Sequence, residues 1–122
     1  MLIRNLTPHP VTIVRKRTLG EDEIVEIVKI IKPEAEAARL ATKTERKGSI
    51  NGVPISQTTF SAVVGLPPKK KGVILIVSQL VRSYLDRKQP DRTDAVVPNE
   101  IVRDSRGAVL GAQSLGLRAI DI

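Results

Sequence analysis

The segment from Gly72 to Val77 (GVILIV) constrains the fold more than any other part of the chain. It is an unbroken run of apolar and mostly β-branched residues, too short to cross a membrane and of the right length for a central β-strand. Ser78 follows directly, and serine is a favourable residue for capping a helix N-terminus. The sequence therefore predicts a buried strand that leads into the main helix of the protein, over about Ser78 to Arg87.

The apolar spacing of this helix predicts which side is buried, because residues three and four positions apart share one face. The buried face should consist of Leu80, Val81, Tyr84 and Leu85. The face directed to solvent should carry Arg82, Asp86 and Arg87. After the helix, a polar stretch predicts a loop between hydrophobic anchors. Its charged and amide residues are Arg92, Asp94, Asn99, Arg103, Asp104 and Arg106.

Most of the remaining chain is typical of β-strands joined by turns. Val11 to Val14 follows a proline-rich entry, and Glu23 to Lys32 is rich in β-branched residues, which favours a strand over a helix. Ala38 to Gly48 alternates, and the Asn51-Gly52 pair between two apolar positions is a strong β-hairpin signal. We therefore predict one small α+β domain over residues 1–122, built mostly from antiparallel β-sheet with one main α-helix.

The end of the chain, AVLGAQSLGLRAIDI, is predicted to form a further strand. Gly111 and Gly116 interrupt its apolar residues. Glycine inside a strand indicates either a bulge or the close approach of another backbone.

The charge balance of the chain favours an anionic partner. Twenty Lys and Arg residues against thirteen Asp and Glu residues give a formal net charge of +7, and such an excess attracts anions over a distance. The chain has one Phe, one Tyr and no Trp, so it lacks the repeated stacking groups of single-strand nucleic-acid binders. A small phosphorylated ligand, which needs a few convergent arginines, fits this composition better than nucleic acid. The alternative is that the positive charge serves solubility alone.

Residues for catalysis or metal binding are scarce. The single histidine, His9, lies between two prolines, no serine lies in a G-x-S-x-G elbow, and there is no cysteine. Acidic residues that could form a catalytic pair, such as Glu100 and Asp104, have arginine neighbours that should hold them ionised. Glycine fingerprints of dinucleotide and P-loop sites are also missing. These features favour a binding protein that is not an enzyme and uses neither a metal nor a cofactor.

The distribution of apolar residues bears on location and assembly. No apolar run is long enough to span a bilayer and the N-terminus has no long apolar core, which predicts a soluble intracellular protein without a membrane partner. Several β-branched runs with almost no aromatic residues would leave apolar strand faces exposed in a monomer. We therefore predict a homo-oligomer with its ligand pocket at or near a subunit interface.

Four segments, taken in order, resemble a known family: NLTPHPVTI, ARLATKTE, VVGLPPKKKGVILIVSQLV and DAVVPNEIVRDSRGAVLGAQSLG. They are similar to small phage and prophage proteins, and specifically to the Thoeris anti-defence sponges, which sequester the cyclic ADP-ribose signal of a bacterial immune system. The resemblance covers most of the chain outside Glu23 to Lys32 and the last few residues. It implies an oligomer that holds a cyclic nucleotide without cleaving it, in the cytoplasm of an infected or lysogenic bacterial host. Glycocyclic ADP-ribose is the first expected ligand class, and cyclic oligonucleotides are the second.

A cyclic ADP-ribose ligand needs a stacking group, an amide that reads the purine edge, and guanidinium groups for its phosphates. The resemblance implies an aromatic residue and an asparagine in this region, and Tyr84 and Asn99 are the matching candidates. The candidates for phosphate contacts are Arg39, Arg103 and Arg118. Each role has a structural alternative: Tyr84 also fits the apolar stripe of the helix, Asn99 could cap a turn after a proline, and Arg103 could form a surface ion pair.

Two other classes of function stay open. One is a basic phage protein that binds nucleic acid mainly through phosphate contacts, with steep salt dependence. The other is a virion or assembly component whose strands mediate subunit contacts and whose charges only face solvent. A small ligand should not stabilise a protein of this second class.

Overall fold

The computed structural model describes residues 1–118, which form eight β-strands and one α-helix. In chain order they are β1 (Leu2–Asn5), β2 (Val11–Leu19), β3 (Asp22–Ile31), β4 (Arg39–Ile50), β5 (Val53–Val64), β6 (Val73–Ile76), α1 (Gln79–Lys88), β7 (Ala95–Arg103) and β8 (Val109–Gly116). Six strands form one sheet in the order β1-β6-β7-β8-β2-β3, and β4 and β5 form a separate hairpin. The predicted α+β class, mostly β with one helix, is confirmed.

The predicted central strand is β6, and it lies between two parallel neighbours, β1 and β7. Its side chains at Leu75 and Ile76 are fully buried, as is Val77 directly after it. Helix α1 then crosses back to β7, and the hydroxyl oxygen of Ser78 accepts a 3.2 Å hydrogen bond from the Val81 amide. The predicted strand, helix and N-cap are therefore confirmed. Most other pairing is antiparallel, as between β2 and β3 or between β7 and β8.

Hydrophobic residues pack on both faces of the sheet, because successive side chains of β6 and β7 point in opposite directions. On one face, residues of β6 and β7 pack against α1 and the base of the β4–β5 hairpin. This cluster includes Leu75, Val77, Val81, Leu85, Val97, Leu40 and Val63. On the other face, Ile76 and Val96 pack against Val11 and Ile31 from β2 and β3. The sheet must curl to bring β2 and β3 over this second face.

The curled sheet is held at one point by the side chain of Asn5, which is 0 % exposed. Its Nδ2 donates hydrogen bonds of 2.9 Å to the carbonyl oxygens of His9 and Ile31. Its Oδ1 accepts a 2.9 Å hydrogen bond from the Thr7 amide and lies 2.6 Å from the Thr7 hydroxyl. Immediately after β3, Pro33 forms a parallel bridge with Asn5. One amide thus joins the end of β1, the following turn and the end of β3.

The predicted hairpin at Asn51-Gly52 and the predicted strand over Glu23 to Lys32 are confirmed. The Asn51-Gly52 turn has positive φ at both residues, 50° and 78°, as in the type I′ turns that Asn-Gly favours. The region from Glu23 to Lys32 is a strand and not a helix. Apart from the hairpin base, both faces of β4–β5 are exposed to solvent. The cations of β4 at Lys43 and Lys47 lie on this exposed surface.

Close packing at β8 explains one of the two glycines in the predicted terminal strand. A Cβ at Gly111 would lie 2.6 Å from Cγ1 of Val14 and 2.7 Å from the carbonyl oxygen of Thr12. Because the second of these atoms belongs to the backbone, β2 could not stay in place beside a larger residue. The strand itself ends at Gly116, and residues 119–122 of the predicted segment lie outside the described residues.

Two local predictions were wrong. The helix was expected to bury Leu80 and expose Arg82, but Leu80 is 53 % exposed and Arg82 only 1 %. Arg82 is buried because its NH1 donates to the carbonyl oxygens of Arg92, at 2.6 Å, and Ala95, at 2.8 Å, and so pairs polar groups that would otherwise be buried alone.

The polar stretch after the helix was expected to be a loop as far as Arg106, but its central part is β7. Pro98, Asn99 and the charges around them are typical of a loop. The buried residues Ala95 to Val97 anchor this segment in the hydrophobic core, and its register with β8 extends from Val97 to Arg103. Tertiary packing thus outweighs local composition.

Asn5→Ala should lower the free energy of unfolding by about 2–4 kcal/mol, because it leaves the carbonyl groups of His9 and Ile31 and the Thr7 amide without a buried partner. Urea denaturation should show an earlier midpoint with an unchanged slope. Asn99→Ala is the matched control, since that amide makes no hydrogen bond to residues 1–118, and its midpoint should stay near that of the wild type. An equal decrease in the free energy of unfolding for both variants would contradict the stabilising role of the Asn5 amide.

Candidate functional site

A cleft of about 390 Å³ opens beside the N-terminus of α1. It forms there because β1 and β6 are parallel neighbours, so that the segments after their carboxyl ends meet at one edge of the sheet. One of these segments is the Thr7-to-Pro10 turn, and the other is the start of α1. The opposite wall comes from β7 and β8. The lining residues are Thr7, His9, Pro10, Val11, Val77, Ser78, Gln79, Pro98, Ile101, Arg103 and Val109.

The side chains that line the cleft favour an anion. Among the described residues that line it there is neither Asp nor Glu, while Arg103 contributes a guanidinium group. The NH1 atom of Arg103 donates to the Gly107 carbonyl oxygen at 2.9 Å, which orients the group and leaves other N–H donors for a ligand. The first turn of α1 contains no acidic residue, so the positive end of the helix dipole also favours an anion.

The remaining wall of the cleft is apolar, with Pro10, Val77, Pro98, Ile101 and Val109. A volume of about 390 Å³ lies at the lower end of the range for small-molecule sites. Apolar walls with one guanidinium and a helix N-terminus are suited to a ligand that combines a planar or apolar part with a negative charge.

An irregularity in β7 shapes this wall. Residues an odd number of positions apart face opposite sides of a regular strand, yet Pro98 and Ile101 both line the cleft. Between them Glu100 has a φ of 51°, a left-handed conformation that is uncommon for a residue with a side chain. Its carboxylate accepts a 2.7 Å hydrogen bond from the Ser114 hydroxyl, on the neighbouring strand. The conformation at Glu100 therefore redirects the strand so that both apolar residues face the cleft.

Of the residues predicted to bind a ligand, Arg103 lines the cleft. Tyr84 lies elsewhere: it is 8 % exposed, and its hydroxyl donates to the Ser61 carbonyl oxygen on β5 at 3.2 Å. In this arrangement its ring packs in the core, as the structural alternative for Tyr84 supposed. Arg39 begins β4 opposite Val64 and is exposed, and Arg118 is exposed after the end of β8. The structure therefore does not bring the predicted residues into one pocket of the single chain.

Asn99 has the properties of a binding residue although it does not line the cleft. It follows Pro98 on β7, is half-buried, and its side-chain amide has no hydrogen-bond partner among residues 1–118. The side chain lies against Gly116 of β8, where an added Cβ would come within 3.2 Å of the Asn99 amide nitrogen. Gly116 thus makes room for an amide whose donor and acceptor are both free.

Sequence reasoning did not predict that the Thr7-to-Pro10 turn and Gln79 line the same cleft. Gln79 donates from Nε2 to the Pro98 carbonyl oxygen at 3.2 Å, which fixes the start of α1 against β7. The proline-rich turn and the helix cap were both recognised as local features. Their proximity depends on the pairing of β1 with β6, which is not encoded by local spacing.

The densest polar cluster after the helix has a structural role. Arg92 donates from Nε and NH2 to both carboxylate oxygens of Asp94, at 3.0 and 2.9 Å, and NH2 also donates to the Pro67 carbonyl oxygen at 2.7 Å. Burial by itself raises the pKa of Asp94, but the hydrogen bonds and charge of Arg92 outweigh it and hold that pKa below its usual value. Together with buried Arg82, this pair closes the segment between α1 and β7.

Comparison of the chain with protein-family models, curated proteins and solved structures finds no match. The resemblance to the anti-defence sponges therefore rests on the four sequence segments alone. Residues 1–118 contain no cluster of acidic or histidine side chains arranged to hold a metal ion. Over the same residues, no helix has the length and apolar character needed to cross a bilayer.

The Arg92–Asp94 pair predicts a pH dependence. A carboxylate whose folded-state pKa is depressed stabilises the fold above its unfolded pKa of about 3.9, and this stability is lost as pH falls through the folded value. Asp94→Asn should therefore lower the free energy of unfolding by about 1–3 kcal/mol at pH 7. The difference in free energy of unfolding between variant and wild type should narrow below about pH 4. Urea denaturation at a series of pH values measures this difference.

Asp91→Asn is the matched control for this series, since Asp91 is exposed three residues earlier. It should change stability at pH 7 by less than about 0.5 kcal/mol. A constant gap between Asp94→Asn and wild type at all pH values would show that the ion pair is not the source of the effect.

Proposed function

We propose that the protein is a non-catalytic anti-defence sponge of phage origin, which binds and sequesters a cyclic nucleotide signal of bacterial immunity. The observation that carries this proposal is the carboxylate-free cleft that combines the Arg103 guanidinium, the N-terminus of α1 and an apolar wall. The family resemblance supplies the identity of the ligand, with cyclic ADP-ribose derivatives first and cyclic oligonucleotides second.

The phosphates of such a ligand suit the positive end of the cleft. Arg103 can donate to phosphate oxygens in a fork geometry, and the positive end of the α1 dipole at the same cleft favours the negative charge. The apolar wall at Pro98 and Ile101 suits the base or the ribose. The Asn99 amide lies outside this cleft, against Gly116, and has the donor and acceptor needed to read a purine edge. A ligand that reaches it must extend beyond the cleft.

The hydroxyl groups near the cleft favour binding over cleavage. The Ser78 hydroxyl oxygen caps α1, and the Thr7 hydroxyl lies within hydrogen-bond distance of both Asn5 Oδ1 and the His9 carbonyl oxygen. Among residues 1–118, neither hydroxyl is hydrogen-bonded to a side chain that could act as the general base that a serine or threonine nucleophile needs. Holding a ligand intact requires only the donors and the apolar wall.

Arg103→Gln should weaken binding of a cyclic ADP-ribose isomer by about tenfold or more, because a charge-assisted hydrogen bond contributes about 1.5–3 kcal/mol. Isothermal titration calorimetry and thermal shift measure this effect. Arg106→Gln, in the neighbouring exposed turn, is the matched control and should bind like the wild type. Equal affinity of Arg103→Gln and wild type for the ligand would show that this cleft is not the binding site.

The same titration distinguishes the classes of function. Ligand bound by the wild-type protein should be recovered intact after heat denaturation, as measured by mass spectrometry, and a cleaved product would indicate an enzyme instead. Binding of single-stranded DNA that falls steeply with salt, without binding of cyclic nucleotides, would favour the nucleic-acid alternative. No stabilisation by any of these ligands would favour an assembly component.

Asn99→Ala should separate binding from folding. Because the Asn99 amide has no partner among the described residues, the free energy of unfolding of the variant should lie within about 0.5 kcal/mol of the wild-type value. If the amide reads the ligand, affinity should fall about tenfold, as expected for the loss of about 1.4 kcal/mol of hydrogen bonding. Unchanged affinity would exclude Asn99 from the binding site while leaving Arg103 to be judged separately.

A further inference from the structure

The first strand, β1, lies at one edge of the six-stranded sheet and pairs on its inner side with β6. The amide of Leu2 donates to the carbonyl oxygen of Gly72 at 2.7 Å, so the even-numbered residues of β1 direct their backbone groups toward β6. Backbone groups of successive residues in a strand point to opposite sides. Ile3 therefore directs both its N–H and its carbonyl group to the outer side of the sheet.

On this outer side, the chain covers the end of β1 and leaves its beginning open. The Asn5 carbonyl oxygen, which faces the same way as Ile3, accepts a 2.8 Å hydrogen bond from the Glu34 amide. Among residues 1–118, no segment pairs with Ile3 on this side. One donor and one acceptor of the backbone are thus available to an added strand, which is how β-augmentation binds an extended peptide.

A groove of about 550 Å³ lies beside this open edge. Its floor is one face of β1 and β6, with the apolar residues Leu2, Val73 and Leu75. The segment from Pro67 to Lys70, after β5, lines one part of the groove, and Glu34, after β3, lines another. A strand added to β1 would direct every second side chain to the floor of this groove, because side chains alternate along a strand.

The rim of the groove is basic. Lys69 and Lys70 line it, and Lys71 follows as a third exposed cation. Lys70 and Lys71 have no ion-pair partner among residues 1–118. Among the described residues that line the groove, the one carboxylate is Glu34, and it is paired with Arg4 at 2.6 Å. The lysines therefore leave this rim with a positive excess, which favours acidic groups.

The basic rim is confined to one end of the groove. A second hollow, which shares Arg4, Glu34 and Pro67 with the groove, continues it toward the carboxylate of Glu36. Positive charge thus lies at the amino end of β1 and negative charge farther along. An acidic side chain of an added strand would therefore lie at the lysine end, which fixes where the strand can bind.

We propose that an extended acidic peptide of another protein adds to β1 as an edge strand, with apolar side chains on the floor of the groove and carboxylates beside Lys70 and Lys71. Backbone pairing with Ile3 aligns the peptide, the floor removes its apolar side chains from water, and the lysines select its charge. This groove lies at the amino ends of β1 and β6, whereas the candidate cleft lies beyond their carboxyl ends. The proposal therefore does not depend on the ligand of that cleft.

Fluorescence anisotropy of short labelled peptides tests the proposal on the full chain. A peptide that repeats valine-valine-glutamate-glutamate presents both residue types on each face of a strand, and it should bind saturably. The same peptide with lysine in place of glutamate should bind at least about tenfold more weakly, because its charge matches that of the rim. N-methylation of alternate backbone nitrogens of the acidic peptide should weaken binding by a similar factor of about ten, since it removes hydrogen bonds of an added strand.

Charge reversal on the protein tests the rim. Lys70→Glu with Lys71→Glu should raise the dissociation constant of the acidic peptide at least about tenfold. The matched control is Lys29→Glu with Arg46→Glu, which makes the same change in net charge at exposed positions outside the groove, and it should bind the peptide like the wild type. Arg103→Gln should also bind the peptide like the wild type, because that residue belongs to the cleft.

Three results would each overturn the proposal: no binding of the acidic peptide, equal binding of its N-methylated form, or equal binding by the wild type and the Lys70→Glu, Lys71→Glu variant. Equally weakened binding by the Lys29→Glu, Arg46→Glu control would attribute the effect to net charge and would overturn it too. Duplex DNA that binds through the same lysines, without binding of the peptide, would assign the rim to phosphate contacts instead.

Discussion

The fold depends on the buried amide of Asn5. A polar side chain with no exposure to water is stable only when its donors and acceptor are paired, and here both donors and the acceptor are used within one short region. These hydrogen bonds fix the Thr7-to-Pro10 turn against β1 and hold the end of β3 beside them. Because the same turn forms one wall of the cleft, the position of His9 and Pro10 in the candidate site follows from the hydrogen bonds of a fully buried residue. The asparagine that opens the NLTPHP segment is thus explained by its structural role.

Local chemistry was sufficient to predict most elements. The apolar run before Ser78, the Asn51-Gly52 pair and the β-branched composition of β3 each gave the correct element, since each signal acts within a few residues. It was insufficient at Arg82 and in β7, where the partners lie far along the chain. A guanidinium predicted to face water is buried because carbonyl groups ten and thirteen residues later need donors. The loop-like composition around Pro98 was overridden by the core anchors on either side.

For the candidate site, sequence reasoning named single residues but could not predict their arrangement. Arg103 lines the cleft and the Asn99 amide has no partner among residues 1–118, whereas the Tyr84 ring is buried between its own helix and β5 in the single chain. The cleft itself arises from the parallel pairing of β1 with β6, which positions the turn after one strand beside the helix after the other. A linear pattern of residues does not reveal this pairing, because the two strands are distant in the sequence and both are short. The small phosphorylated ligand expected from the sequence stays a prediction.

That parallel pairing also has a consequence for how the chain acquires its structure. Leu2 pairs with Val73, a separation of roughly seventy residues, and contacts of this kind form slowly because a long loop must close first. Both hairpins lie within the intervening segment and need only local contacts, so they can form while β1 still lacks its neighbour. During synthesis, the N-terminal strand leaves the ribosome long before β6 exists. The order in which strands can pair therefore differs from their order in the sequence: both hairpins can form before β1, which precedes them, finds its partner β6.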